Sequence, residues 1–230
     1  WQKDGLPIPG ATNGTVSVLA LQNGALYSVA VSNAFGTTLS SNAVLTTLNG
    51  SLVGDVVYLR STSGAPWGST ANEEAMDRVF GPGGWQNEQY ENVDVGSLLS
   101  PATKFIYMEG SDNNAIEMEE FLDGHRSAVE NWVAEGGRLL LNAAPNEGDG
   151  MSFGFGVALV DDDFTNEGVA VDPAHPIFNG PFEPVGTNWT GGAFGHATVE
   201  GAGLASLIAN SGNGRTVLAE KTWGLGRVMV

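Results

Sequence analysis

Apolar and polar residues alternate in short runs along the first fifty positions. Residues 15–21, 25–32 and 37–48 are rich in Val, Leu, Thr and Ser, which suits pleated, half-buried strands. Gln22-Asn23-Gly24 and Asn33-Ala34-Phe35-Gly36 lie between them and supply turn formers, so hairpins are predicted. After Asn49-Gly50-Ser51 the pattern changes. Residues 55–60, 90–93, 104–109 and 138–143 read as short strands, and helical spacing occupies about 70–80 and 116–135. In the longer helix Phe121, Leu122, His125, Ala128, Val129, Trp132 and Val133 recur every three or four positions, and Gly136-Gly137 ends it. Strands alternating with helices predict a parallel sheet covered by helices. Beyond residue 145 the rhythm fades into Gly- and Pro-rich sequence, with shorter strands predicted at 157–160, 196–199 and 215–220. The last run, 224–230, reads as the opening of one more strand.

Composition sharpens this division. The 33 glycines lack a collagen-like period and imply many turns, while 42% hydrophobic residues are enough for a core. The net charge of −17 is uneven: residues 1–50 carry only Lys3 and Asp4, leaving 25 acids and eight bases for the rest. Such a surface repels nucleic acid and anionic membranes and favours cations such as Ca²⁺, or simply keeps an exported protein soluble. With no cysteine, disulfides, thiolate metal sites and a cysteine nucleophile are excluded. No apolar run approaches the roughly 20 residues that span a bilayer, so no membrane insertion is predicted.

Two resemblances organise the chain. The order Trp1-Gln-Lys-Asp-Gly-Leu-Pro-Ile-Pro-Gly, Gly24-Ala-Leu-Tyr27-Ser-Val-Ala-Val-Ser-Asn33-Ala-Phe-Gly36 and Ser41-Asn-Ala-Val-Leu-Thr46 resembles bacterial Ig-like domains from strand C to strand G. The resemblance implies a partial all-β sandwich over 1–48, with Trp1 in its core, Tyr27 at the tyrosine corner, and about 25 to 30 residues of the domain lying before Trp1. A linker follows at 49–54. The run Asn131-Trp-Val-Ala-Glu-Gly-Gly-Arg-Leu-Leu-Leu141, with Asp55-Val-Val-Tyr-Leu59, Asp172-Pro-Ala-His-Pro-Ile-Phe178 and Gly224-Leu-Gly-Arg-Val228, is similar to class I glutamine amidotransferase-like domains of the ThuA-like kind. It implies a flavodoxin-like α/β domain with a parallel sheet over 55–230, truncated at its C-terminus. Catalytic members place a cysteine on a tight turn after a central strand; here that strand runs into Leu141-Asn-Ala-Ala-Pro-Asn-Glu-Gly148, without Cys or Ser. His196 and Glu200 depart from the usual His-x-Glu pair. Acyl transfer needs a nucleophile, so the resemblance carries over no catalytic residue.

In an open parallel sheet, ligands bind beyond the carboxyl ends of the strands. Three loops are placed there: 61–73 with Trp67 and Ser69, 109–114 with Glu109, Asp112 and Asn113, and 142–150 with Asn142, Asn146, Glu147 and Asp149. Their amides, hydroxyls and carboxylates suit sugars or Ca²⁺. Trp67 reads either as a stacking platform for a sugar ring or as an anchoring tryptophan. Glu109 and Asp112 read as an acid–base pair or, for Asp112, as the cap of the next helix. Glu147 and Asp149, with Asn146, loosely resemble a calcium loop but lack the full EF-hand spacing. Asp161-Asp162-Asp163 reads as a solvated acidic turn, His125 as a packed histidine, and His175 as a turn buttress. The expected function is a non-catalytic binding or structural module of a secreted or cell-surface multidomain protein, with a polysaccharide or other surface glycan as partner. The alternatives are a carbohydrate-active hydrolase using loop carboxylates and a calcium-stabilised scaffold.

Overall fold

The computed structural model describes residues 1–16, 25–44, 55–145, 149–160, 165–180 and 186–230. Most of the strand expected at 15–21, the end of the 37–48 run, the linker at 49–54, Asn146, Glu147 and the acidic run 161–163 fall outside the described residues. The chain divides into two compact units, Trp1–Ser51 and Leu52–Val230.

The first unit is built of short antiparallel strands. β1 (Gln2–Lys3), β2 (Leu6–Pro7), β3 (Leu26–Ser28) and β6 (Ala43–Val44) form a sheet in the order β2-β1-β3-β6, and β4 (Ala30–Asn33) pairs with β5 (Gly36–Leu39). The β4–β5 loop is Ala34-Phe35, closed by Asn33↔Gly36 pairing and by the Phe35 N–H donating to Asn33 Oδ1 at 2.8 Å. That is the turn chemistry the sequence predicts. Trp1 is half-buried rather than enclosed, and its Nε1 donates to Asn13 O at 2.9 Å.

The second unit follows the expected rhythm as far as residue 145. β7 (Val56–Arg60), α1 (Ala71–Phe80), β8 (Gln86–Gln89), α2 (Val95–Leu98), β9 (Phe105–Asp112), α3 (Ala115–Ala134) and β10 (Arg138–Pro145) come in that order. The strand expected at 90–93 lies earlier, at β8, whose sequence Gln-Asn-Glu-Gln shows no apolar signal; residues 90–92 form the turn after it. Then come β11 (Met151–Gly154), β12 (Val157–Val160), β13 (Thr165–Ala170), β14 (Asn188–Gly195), β15 (Thr198–Gly201), β16 (Ala205–Asn210), β17 (Thr216–Trp223) and β18 (Gly226–Met229).

The expectation of a parallel-sheet, flavodoxin-like α/β domain is corrected here. The main sheet has nine strands, β14-β13-β16-β17-β18-β10-β9-β7-β8. Only β18, β10, β9, β7 and β8 are mutually parallel, and every pair from β14 to β18 is antiparallel. Strand residues outnumber helical ones by about two to one among the described residues. The cause lies in the connections: described helix beyond residue 134 is limited to one 3-10 turn at Pro176–Phe178, so hairpins replace the crossovers that parallel strands require. Gly224-Leu225 joins β17 to β18 as a two-residue loop with φ of 60° at Gly224, a sign that glycine adopts readily.

The core lies between the main sheet, α3 and a small antiparallel sheet β11-β12-β15. Ile106 and Met108 of β9, Met118 and Leu122 of α3, Phe153 of β11 and Leu159 of β12 are buried in one cluster. Gly110 lets α3 approach β9: a Cβ there would lie 2.2 Å from Met118 Sδ. The opposite face carries α1, through Met76 and Phe80, over Tyr58, Tyr107 and Phe105, and the 176–178 turn over Leu207 and Ala170.

Candidate functional site

Strand alternation decides which side chains of β9 can cooperate. Ile106, Met108 and Gly110 face α3, so Tyr107, Glu109 and Ser111 face the α1 side. Glu109 is wholly buried there and is held from four directions. Its Oε1 accepts the Ser111 backbone N–H at 2.6 Å; its Oε2 accepts Asn72 Nδ2 of α1 at 2.5 Å and the Tyr107 hydroxyl at 3.2 Å. Asn142, its register partner on β10, donates from Nδ2 to both oxygens at 3.3 and 3.2 Å, and to Ser111 Oγ at 3.1 Å. Asn72 Nδ2 also reaches the Tyr58 hydroxyl at 3.2 Å. Burial pushes the Glu109 carboxyl above its ordinary value, and the bonds from Ser111, Asn142 and Tyr107 offset only part of that rise. The Tyr58 and Tyr107 phenols are pushed up by burial first, with the Glu109 charge adding to it.

The chain order β7, β8, β9 against the spatial order β8-β7-β9 puts the reversal of strand order between β7 and β9, where ligands bind in such sheets. The loops that follow these two strands meet there. Trp67 and Asp112 both have left-handed backbone, at φ 52° and 54°, which costs a non-glycine residue about 1 to 2 kcal/mol. The Trp67 N–H donates to Asp112 Oδ2 at 2.7 Å, so each strained residue holds the other. Buried Asn114 accepts the Ser61 N–H at 2.8 Å and donates from Nδ2 to Gly64 O at 3.1 Å. Ser63 Oγ donates to Asn113 O at 3.0 Å. Glu91 accepts Ser61 Oγ at 2.7 Å and Thr62 N at 3.0 Å. Burial alone would raise the Glu91 carboxyl, but these bonds outweigh it and hold it below its ordinary value.

This scaffolding leaves Trp67 55% exposed, so it is neither core nor buried anchor. Its ring centroid stands 5.6 Å from that of His196. Both line a space of about 570 Å³, together with Ser111, Asn142, Phe153, Val217 and Val230. It lies between β10 and β17, with Val230 in its wall. β18 pairs with β10 only from Arg138 to Leu140, and Leu141 to Ala144 then face Val217 and Leu218 across the gap.

Several expectations need correction against this geometry. Glu109 and Asp112 do not form an acid–base pair: three residues apart on one strand, their side chains leave opposite faces, and each is engaged by other donors. Nor does Asp112 cap α3. Asn114 holds the cap position, without a side-chain capping bond. Ser69 is exposed and its Oγ accepts Ala71 N at 3.3 Å, at the start of α1 rather than in the cavity; Asn113 is exposed and contributes its backbone oxygen to Ser63. Asp149 is exposed, and among the described residues no group of three or more His, Asp or Glu side chains gathers to hold a metal. His175 buttresses its turn as expected, accepting Ile177 N at Nδ1. His125 is half-buried against Phe121 at 4.9 Å. The Ser111 side chain is engaged by Asn142 and Glu109, while the His196 ring stands beside Trp67 on the same wall. Sequence reasoning missed Ser111, Asn72, Tyr107 and the placement of His196. The alternation Tyr107-x-Glu109-x-Ser111 was the available signal for two of them.

No protein-family model matches the chain, and no curated protein matches it. Among solved structures the chain is similar to a β-galactosidase from Bacillus circulans sp. alkalophilus, at 15% identity and a TM-score of 0.45 over 76% of this chain and 28% of that one. It is also similar to the exo-β-1,4-mannosidase Op5Man5 from Opitutaceae bacterium strain TAV5, at 15% identity and a TM-score of 0.40 over 77% and 31%. The chain thus spans less than a third of either protein.

Proposed function

We propose that the second unit is a non-catalytic carbohydrate-binding module of a secreted or cell-surface protein, with Trp67 as its stacking platform and the first unit as a spacer or presenting module. One observation carries this reading: Trp67 is held exposed in a left-handed conformation by the Asp112 carboxylate, and strain of that kind persists where surrounding structure enforces it for use. An indole face beside an amide, a hydroxyl and an imidazole suits a pyranose, which offers an apolar ring face and a rim of hydroxyls. Isothermal titration with neutral β-1,4-linked tetrasaccharides of glucose, galactose and mannose tests it. Binding of at least one that weakens about tenfold or more in Trp67→Ala supports the reading; no binding of any of them to the intact chain refutes it.

A further inference from the structure

We infer that Glu109 is a positioning residue that couples the posture of Trp67 to pH: its carboxylate ties the end of β9 to the first turn of α1, and taking up a proton slackens that tie and weakens sugar binding. The inference names a regulation of the Trp67 site, and its claim on affinity rests on the carbohydrate-binding reading.

Trp67 is held at two points, and both lead to Glu109. Its backbone N–H is held by Asp112 at the end of β9, and the N–H of Ser111, next to Asp112, donates to Glu109 Oε1 at 2.6 Å. On the other side the chain makes a 3-10 turn, Pro66–Gly68, and enters α1 at Ala71. There Asn72 donates to Glu109 Oε2 at 2.5 Å. α1 has little else to seat it. Met76 is its one buried residue, against seven in α3, and Thr70 gives its first turn no side-chain capping bond. A polar tether in that turn therefore counts for more than it would in α3.

The tether is built for an anion. Ser111, Asn72, Tyr107 and Asn142 all donate to the Glu109 carboxyl, and among the described residues no cation pairs with it. Arg60 of β7 and Glu73 of α1, which act with Glu109 on the Tyr58 phenol, are paired with each other at 3.7 Å. The other titratable groups around it are the phenols of Tyr58, Tyr107 and Tyr90, the last donating to the Glu109 backbone oxygen at 3.1 Å. Burial keeps all three in the neutral form. A buried carboxylate without a cation takes up a proton more readily than an exposed one, and burial does push this carboxyl up. The acid form then carries a proton where only donors point, and its bonds to Ser111 and Asn72 lose the charge assistance that makes such bonds roughly twice as strong as neutral ones. Glu109 has no exposed surface, so the change passes to the elements bonded to it rather than to solvent.

The test follows Trp67 itself. Protein labelled with 5-fluorotryptophan is titrated from pH 8 to pH 4 by fluorine NMR in a His196→Gln background, which removes the titration of the imidazole beside Trp67. Trp67→Phe assigns the resonance, and Trp132, bonded to Thr103 O before the start of β9, serves as the reference. The Trp67 resonance is expected to move through a step centred above the ordinary glutamate value. Glu109→Gln should abolish that step. Asn72→Ala keeps the carboxylate but cuts its link to α1, and should shrink the step about threefold or more. Isothermal titration with the best neutral tetrasaccharide should show affinity falling about threefold or more across the same step, and no such fall in Glu109→Gln. Absence of the step, its persistence at the same midpoint in Glu109→Gln, its full size in Asn72→Ala, or an affinity that stays flat across it overturns the inference; Asn72→Ala decides alone should Glu109→Gln not fold. A step that behaves as expected in a protein that binds none of the sugars overturns the carbohydrate reading and leaves the coupling of Trp67 to Glu109 standing.

Discussion

The two units use apolar residues in opposite ways. In the second, side chains from β7, β9, β10, α3 and the small sheet close into a continuous cluster, and Val57, Leu59, Ile106, Met108, Met118 and Val133 have no exposed surface. In the first, Ala25 and Ser28 alone are buried among the described residues, while Leu6, Val31, Leu39 and Val44 are more than half exposed and Phe35 is 99% exposed. Strands form in both, because alternation and turn residues suffice for pairing. Apolar surface stabilises by about 25 cal/mol per Å² only when something removes it from water, and Glu109, Asn142 and Trp67 all lie in the unit with the continuous buried cluster.

That contrast can be broken most severely at Gly226. A Cβ there would lie 2.0 Å from Val133 O and 2.3 Å from Gly137 O, where the β17–β18 hairpin seats on the end of α3. Gly226→Ala should cost about 3 kcal/mol or more by forcing the hairpin off the helix, read as a lower urea midpoint. Glu109→Ala comes next. It strands the donors of buried Ser111 and Tyr107 and removes the acceptor of Asn72 and Asn142, and about 2 to 4 kcal/mol of the second unit's stability should be lost in the same measurement.

The Glu109→Gln variant gives a smaller, pH-dependent signature. Because burial raises the folded carboxyl above its unfolded value, the folded state binds the proton more tightly. Wild-type stability relative to Glu109→Gln is then greatest below the ordinary glutamate value, and falls as pH rises from there through the raised value. Urea titrations of both proteins from pH 4 to pH 8 check this; a difference that grows with pH in the wild type's favour contradicts it. Smallest of all is Phe35→Ser in the first unit. With no burial to lose, it should shift the melting midpoint of either unit by the equivalent of less than about 0.5 kcal/mol.

Much of this contrast was legible in the sequence. The three- and four-residue spacing from Phe121 to Val133 placed α3 to within a residue or two, and the turn at Asn33–Gly36 was readable from its residue types alone. The parallel sheet was over-extended because βαβ rhythm was carried past residue 145, where β13 and β14 are Gly-containing and the pairing of β13, β14, β16 and β17 is set by antiparallel connections and bulges. β8 escaped because its Gln-Asn-Glu-Gln has no apolar face to detect. Of the three segments expected as loops, 109–112 and 142–145 are the ends of strands β9 and β10, and the role of each side chain was not readable. Glu109 reads in sequence as a loop carboxylate, and only register with Asn142 and the arrival of Asn72 from α1 make it a buried acceptor. Asp112 reads as a cap, and only its left-handed backbone turns it toward the Trp67 amide.

The central claim is that an exposed indole, held by Asp112 at the carboxyl edge of the second unit, binds sugar. Isothermal titration of the wild type and Trp67→Ala with the three neutral tetrasaccharides tests it most directly. The account predicts at least one saturable isotherm in the wild type that weakens about tenfold or more in the variant, about 1.4 kcal/mol. Equal affinity in the two proteins, or no heat in either, would contradict it.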